Sequence, residues 1–340
     1  MAATTIANLW TPAIWIPAAD EAARTLPSLI TSGAVRQSGL FDSVATGGGT
    51  SANLPFFRDL TDTSEGIQVE GSAPTINNIA SGTNLAAILN REVAFGVEAL
   101  SASVSGADPV AGITRQLGQA RQKRMQLTLL NILRGLFAFG SAPATAAALS
   151  AVRSDVSSET GASPTSDKLI DSTKFNNACA LMGELQSNLT AGSVWMHPMI
   201  RAALLNADAN SFERSSKGDF ILETYKGIPV YVSNSLSRAG TTSGTVYDTY
   251  VMAPGVVGWG MKAQASGIDA ASLQYYERPD LNQAQIFDRT RALIHLNGTR
   301  FTGSPAGQSA TNTELSTSTN WALAFQTADR VGVVQIRTNG

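Results

Sequence analysis

The longest unbroken pattern of apolar and polar positions runs from Asp108 to Phe139, DPVAGITRQLGQARQKRMQLTLLNILRGLFAF. Ile113, Leu117, Ala120, Leu127, Leu130, Leu133 and Phe137 recur at spacings that put them on one stripe of a helix. Asp108 is suited to accept from the orphan amides of the first turn, and Pro109 sits where a missing N–H is harmless. The predicted helix is about 45 Å long at about 1.5 Å per residue. It reads as a spine on which other parts hang. Arg115, Arg121, Lys123 and Arg124 place charged heads along its first half.

Upstream, residues 52–100 alternate short apolar runs with turn residues (Asp62, Gly66, Gly71, Pro74, Asn77, Asn78, Gly82). This predicts a long two-stranded excursion with legs at Leu54–Phe57 and Ala86–Phe95. A hairpin of this kind buries little by itself and requires a partner surface. GGGTS at 47–51 is a hinge; a phosphate loop is excluded because no Lys-Ser/Thr follows at the required spacing. Residues 1–48 carry apolar anchors among prolines, without a period, and read as a segment crossing another surface.

Downstream of the spine, a helix is expected from a cap at Ser172 through Gln186, then a buried strand in SVWMHP, then a helix begun by Pro198. DFILETYKGIPVYVSNSL supplies strands around a turn at Lys226-Gly227, and YDTYVMAPGVVGWGMKA with SLQYYERPD supplies three more. Helices interleaved with strands indicate an α/β or α+β unit ending near Asp288. IFDRTRALIHLNGTRFTG returns to extended structure. A helix led by Asn312 or Thr313 then packs Leu315, Trp321 and Phe325, and a final strand alternates over Val331–Ile336.

Of 340 residues, 43% are hydrophobic and only 15% charged, with mean hydropathy near zero. A chain of this length buries substantial cores, and one exposing so few charges either hides much of its surface in partners or tolerates poor solubility alone. The net charge of −2 argues against a dedicated nucleic-acid binder. Charge is segregated: residues 1–100 carry 4 basic and 9 acidic side chains, residues 101–140 carry 5 and 1. The two regions are therefore expected to attract one another, within a chain or between chains. No segment has the length and apolarity of a membrane span, and the N-terminus lacks the features of a signal peptide; folding in the cytoplasm is expected.

Candidate chemistry is sparse. Cys179 is the sole cysteine, which excludes internal disulfides, and its neighbours read as packing. His197 and His295 lack metal-spaced neighbours and nucleophile motifs, so both read as structural. PGVVGWG has its glycines in the reverse order of a dinucleotide fingerprint. Asp59, Asp62, Glu65 and Glu70 lack fixed ligand spacing and read as a solvated or inter-chain acidic patch rather than a metal site. No enzyme, cofactor or metal is expected.

Three stretches carry a resemblance: ADPVAGITRQLGQARQKRMQLTLLNILRGLFA; KFNNACALMGELQSNLTAGSVWMHPMIRAALLNAD with the following TYKGIPVYVSNSL and YVMAPGVVGWG; and TNTELSTSTNWALAFQTADRVGVVQIRTNG. In this order they are similar to the major capsid (coat) proteins of tailed phages with the Hong Kong 97-type fold, over nearly the whole chain. The resemblance implies an α+β fold with an N-terminal arm at 1–48 and an extended β-hairpin loop at 49–98. It implies a peripheral domain from 99–160 and 289–340, with the spine helix at about 109–139, and an α/β axial domain at 165–288. The implied function is structural. Copies of the chain assemble through hexamers and pentamers into an icosahedral virion shell around double-stranded DNA, in the host bacterial cytoplasm and away from membranes. Implied partners are a portal, packaged DNA held without sequence readout and, optionally, a decoration protein.

Trp10, Trp15, Arg58, Asp59, Asp62, Glu65, Glu70, Arg115, Arg121, Lys123 and Arg124 are the expected inter-subunit contacts. The basic residues of the spine face either DNA or a neighbour's acidic loop, and the neighbour is favoured. No lysine lies between Leu54 and Leu100, so a Lys–Asn isopeptide cross-link from this loop lacks its nucleophile and non-covalent stabilisation is expected. About fifty residues precede the hairpin, too few for a large fused scaffolding domain, which implies a separate scaffolding protein. Two rival readings are an encapsulin-type cargo compartment, told apart by its contents, and a cytoplasmic α/β enzyme, which would need a convergent polar site.

Overall fold

The structure, a computed structural model, describes residues 33–37, 39–58, 67, 68, 70, 71, 73, 76, 78–98, 104, 109–138, 147–158, 163–217, 220–240, 242–263, 269 and 272–340. Strand β1 (Val35–Gln37) and helix α1 (Gly39–Thr46) precede the hairpin legs β2 (Ser51–Phe57) and β3 (Ser81–Glu98). The spine helix α2 (Pro109–Leu136) follows, then β4 (Arg153–Asp155), α3 (Ser172–Ala180), β5 (Ser193–Met196) and α4 (Pro198–Ala207). Next come β6 (Phe212–Lys217), β7 (Phe220–Tyr225), β8 (Ile228–Val232), β9 (Ser237–Ala239), β10 (Thr245–Met252) and β11 (Val257–Met261). The chain closes with β12 (Leu273–Arg278), β13 (Gln283–Leu296), β14 (Thr299–Phe301), α5 (Asn312–Ser316), β15 (Trp321–Leu323) and β16 (Val333–Thr338).

Two sheets carry the chain. The first runs β1-β11-β13-β3-β2, with β12 also on β13; the second runs β4-β16-β10-β5-β8-β7-β6, with β9 also on β10. The hairpin is longer than its apolar runs suggest. β3 spans 18 residues and changes partner midway, pairing with β2 through Ala87 and with β13 from Ile88 to Glu98. β13 likewise runs unbroken through Asp288, and the C-terminal β16 lies between β4 and β10 in the second sheet.

The spine helix matches its pattern with two corrections. It ends at Leu136, with Ala138 in the left-handed region, and Asp108 lies outside the described residues. Leu127, expected on the buried stripe, is exposed, whereas Met125, Leu129, Ile132 and Leu136 join Leu117, Leu130, Leu133 and Phe137 in the core. Leu129, Ile132 and Leu136 are buried because the helix beyond Thr128 is covered on nearly every side, whereas Leu127 lines an open groove. α5 presses on it through Gly135, where a Cβ would run into the Leu315 carbonyl oxygen and Trp321 Nε1.

Other local expectations shift by a residue or a turn. Asp171, not Ser172, caps α3, its carboxylate accepting from Lys174 N at 2.7 Å. That helix stops at Ala180, well short of Gln186, and gives way to a 3-10 stretch from Gly183, which has φ +57°. His197 is structural as expected: its Nδ1 accepts from Met199 N and caps α4. Lys226 and Gly227 both take positive φ and turn β7 into β8, as their dipeptide signals. Thr311 and Glu314 form a capping box on α5. The last strand does not alternate: all six residues of β16 are buried because both of its faces are covered.

Buried polar groups tie the second sheet to the end of the spine. Arg337 Nε donates to Asp248 at 3.0 Å, and Gln335 Nε2 donates to the same oxygen at 2.9 Å. Arg153 pairs with Asp155 at 2.8 Å while its Nη1 donates to the Phe137 carbonyl at the helix end. His295 on β13 is wholly buried beside the α1 contact, with no partner for either nitrogen in hydrogen-bonding geometry. Burial pushes its pKa down to about 4, partly offset by the Thr299 main chain.

The unfolded chain therefore protonates His295 below about 6.5 while the fold resists until about 4. Because the unfolded state binds more protons in that window, stability falls as pH drops through it, by up to about 3 kcal/mol. Urea unfolding at pH 7, 5.5 and 4 is expected to show a shallower acid loss in His295→Leu than in the parent chain. Equal slopes would assign the acid limb to other groups.

Candidate functional site

β13 presents two faces to two different partners. Ile286, Asp288, Thr290, Ala292 and Ile294 point towards the spine helix, while Leu293 packs against Phe41 and Ala45 of α1. A carboxylate at the second of the spine-facing positions has its side chain wholly removed from solvent. Arg121 supplies two contacts to it, from Nε at 2.8 Å and from Nη2, and Arg124 Nη2 donates to the other oxygen at 2.7 Å. The two arginines lie three apart on α2, one helical turn, so both reach the same acid. Thr128 Oγ1 donates back to the Arg124 carbonyl at 2.9 Å.

Beside this cluster the helix and the two strands leave a groove of about 160 Å³. Leu89, Val93, Met125 and Leu127 form its apolar walls and Arg91 with Asn312 its rim. Arg91 Nη2 donates to Asn312 Oδ1 at 3.2 Å; burial lowers the Arg91 pKa, with Glu314 opposing. Glu92 on the opposite face of β3 pairs with Arg289 at 2.8 Å, and Arg289 also reaches Gln274 on β12.

The hairpin offers little to a core of its own. Phe56 turns inwards, edge-on to Phe325 at 5.2 Å and lying over Gly82. Phe57 is 74% exposed, and beyond it Ile67 and Ile76 are 92% and 87% exposed. Arg58 is held by its backbone amide to Ala80 O and lines a small cleft with Phe57 and Arg330. Glu70 is exposed at a turn with Gly71, which has φ +80°.

Of the expected contact residues, Trp10, Trp15, Asp59, Asp62 and Glu65 lie outside the described residues, and Arg115 is placed in α2 only by its backbone. Lys123 is half-buried on α2. Arg121 and Arg124, expected at a neighbour or DNA, both pair with Asp288 of the same chain while keeping part of each side chain in solvent. Asp288 was expected only as a domain end. Its signal was a charge in the apolar phase of an alternating strand, with Ile286 two before it and Ala292 four after. Among the described residues no group of three His, Cys, Asp or Glu side chains could hold a metal. Burial pushes the Cys179 thiol up to about 11, far from a nucleophile's range.

No protein-family model matches the chain. It is 24% identical over 342 residues to the major capsid protein of Bacillus phage SPP1, covering 99% of this chain and 98% of that protein. Its fold is shared with the capsid of Ralstonia phage GP4 (TM-score 0.59, 12% identity, 90% and 87% of the two chains). It is shared also with the capsid of cyanophage Pam1 (0.54, 11%, 90% of each) and with a chain of Mycobacterium phage Bobi (0.50, 12%, 93% and 91%). The chain thus has the α+β fold of phage capsid proteins.

Removing the buried acid leaves two guanidiniums facing an apolar groove. Asp288→Ala is expected to destabilise the chain by about 2–4 kcal/mol, less than for a fully buried pair because both arginines can partly rehydrate. Urea denaturation checks this; a loss below about 0.5 kcal/mol would mean the cluster is no anchor.

Proposed function

We propose that this chain is a structural, non-enzymatic major capsid protein whose copies assemble into the shell of a phage virion. The observation that carries this reading is similarity to a phage major capsid protein along essentially the full length of both chains. The fold supports it physically. The hairpin projects with exposed phenylalanine and isoleucines, and such surface is explained by burial against other copies. Many modest interfaces, repeated by symmetry, add to a stable closed assembly.

Within this reading the Hong Kong 97-type division follows the sheets. The hairpin is the extended loop; because the expected peripheral ranges (99–160 and 289–340) contribute β4 and β16 to the second sheet and the expected axial range (165–288) contributes β11 and β12 to the first, we redraw the division, with the spine helix and first sheet as peripheral and the second sheet as axial. Hexamers and pentamers enclose double-stranded DNA. A separate scaffolding protein, a portal and, optionally, a decoration protein complete the set, with assembly in the bacterial cytoplasm. The N-terminal arm, with Trp10 and Trp15, docks on another copy. On the spine, Arg115, Lys123 and the positive charge left over where two arginines share one carboxylate are the basic contribution to a neighbour's acidic loop (Asp59, Asp62, Glu65, Glu70), and Arg58 closes the loop's base.

Electron microscopy of the purified chain, alone and co-expressed with a scaffolding protein, tests the function: closed shells or capsomer rings support it, and a uniform compact monomer under both conditions overturns it. Shell contents, DNA or protein cargo, separate a virion from a compartment. The contact assignment is tested separately by Glu65→Lys combined with Glu70→Lys. Glu70 is exposed, and the paired changes are expected to leave unfolding within about 0.5 kcal/mol while assembly falls several-fold and its salt dependence flattens. Unchanged assembly would remove the acidic loop from the interface.

A further inference from the structure

The hairpin has two legs, and they are anchored by different means. β3 is held by its ladder to β13, continuous to Leu293 opposite Ile88. β2 is an edge strand that enters through Gly47, Gly48 and Gly49, all exposed, with Gly49 at φ +95°. Three successive glycines have no conformational preference with which to aim a strand. A single side chain gathers this segment. Arg291, on the α1 face of β13, donates from Nε to Ala45 O at 2.8 Å and from Nη2 to Gly47 O and to Gly49 O, the last at 3.0 Å. Ala45 is in the last turn of α1, so the guanidinium also meets the negative end of that helix.

The base it sits on is rigid. α1 lies flat on β11, where a Cβ at Gly260 would run into the Phe41 backbone and where Asp42 Oδ1 accepts from Met261 N at 3.0 Å. Arg291 pairs in register with Asn90, three residues from the point where β3 changes partner. Both legs are thus fixed within one turn of the changeover. Without the guanidinium, β2 keeps its ladder to β3, the packing of Ala52 and Leu54 on the α1 cluster and the Phe56–Phe325 contact, but loses the polar tie at its glycine entry, which widens the range of hairpin angles about Ala87–Ile88.

We propose that Arg291 is a latch that sets the angle of the hairpin on the body of the chain, and through it the uniform curvature of the assembled shell. It is a positioning residue, and the inference about curvature rests on the capsid reading above. Lysine cannot replace it, since an ammonium at one point cannot span three carbonyls held by a planar fork.

The test uses the full chain with spin labels at Ile76→Cys on the hairpin and Thr313→Cys on α5, the buried Cys179 staying unlabelled. The parent is expected to give one narrow distance distribution. Arg291→Ala is expected to broaden it with the fold retained by circular dichroism, Arg291→Lys to broaden it less, and Arg289→Ala, a neighbouring charge that does not touch the hinge, to leave it narrow. Adding Gly48→Ala, a site with open space for a Cβ, to Arg291→Ala stiffens the hinge and is expected to narrow the distribution again. Should Arg291→Ala fail to fold, the lysine variant carries the same comparison. Shells from latch variants are expected to be mixed in size where the parent's are uniform. A latch variant as narrow as the parent, or broad distributions with shells as uniform as the parent's, overturns the proposal. Parent chains that form no shells overturn the capsid reading instead, and the distance distribution still decides the latch.

Discussion

The architecture depends on one carboxylate in a place where a carboxylate cannot stay alone. Asp288 has no solvent contact through its side chain, and an unpaired charge there would be prohibitive. It is satisfied only if Arg121 and Arg124 stand one turn apart directly above it. That requirement fixes the rotation and the lengthwise position of a 28-residue helix on the sheet more sharply than apolar packing, which tolerates sliding. The strand carrying Asp288 pairs with three others, β3, β11 and β12. Fixing the helix on it therefore fixes the hairpin and the first sheet together.

A second buried acid does related work at the other end of the helix. Asp248 is held by Arg337 and Gln335 from the neighbouring strand, and Arg153 extends the network to the Phe137 carbonyl where the helix has finished. The spine is thus tied to the first sheet through its charged middle and to the second through its end. Between these points its residues are nearly all buried, so one large core crosses from sheet to sheet. In the shell proposed above, such a continuous body would carry load between neighbours, since close-packed interiors transmit strain rather than absorb it.

The sequence made local and periodic features legible and left long-range pairings hidden. The spine, the hairpin and the Lys226-Gly227 turn announce themselves through spacing or turn chemistry that acts within a few residues. Leu127 fell on the right stripe yet is exposed, because it lines the groove that the helix and the two strands leave open beside their closed contact. β16 lost its expected alternation because a strand covered on both faces has no reason to keep it. The Asp288 cluster spans 164 residues and more of chain, and neither partner carries a local mark of the other. Its only trace was a charge standing on the apolar side of an alternating run.

The same reasoning bears on why the chain is so poor in charge. With 15% charged residues, a sizeable share serves inside the fold: Arg121, Arg124 and Asp288; Arg337, Asp248, Arg153 and Asp155; Arg291 on the hinge carbonyls. What remains outside includes apolar side chains such as Phe57, Ile67, Ile76, Tyr275 and Tyr276. A monomer with this surface would be prone to uncontrolled association unless its projections were aimed. Orientation is the remedy the structure supplies. In the proposed latch, the long strand and the three-carbonyl contact of Arg291 hold the hairpin in one direction, so that in the proposed shell its exposed apolar surface meets other copies at a defined angle. Defined angles close shells, whereas undefined ones give aggregates.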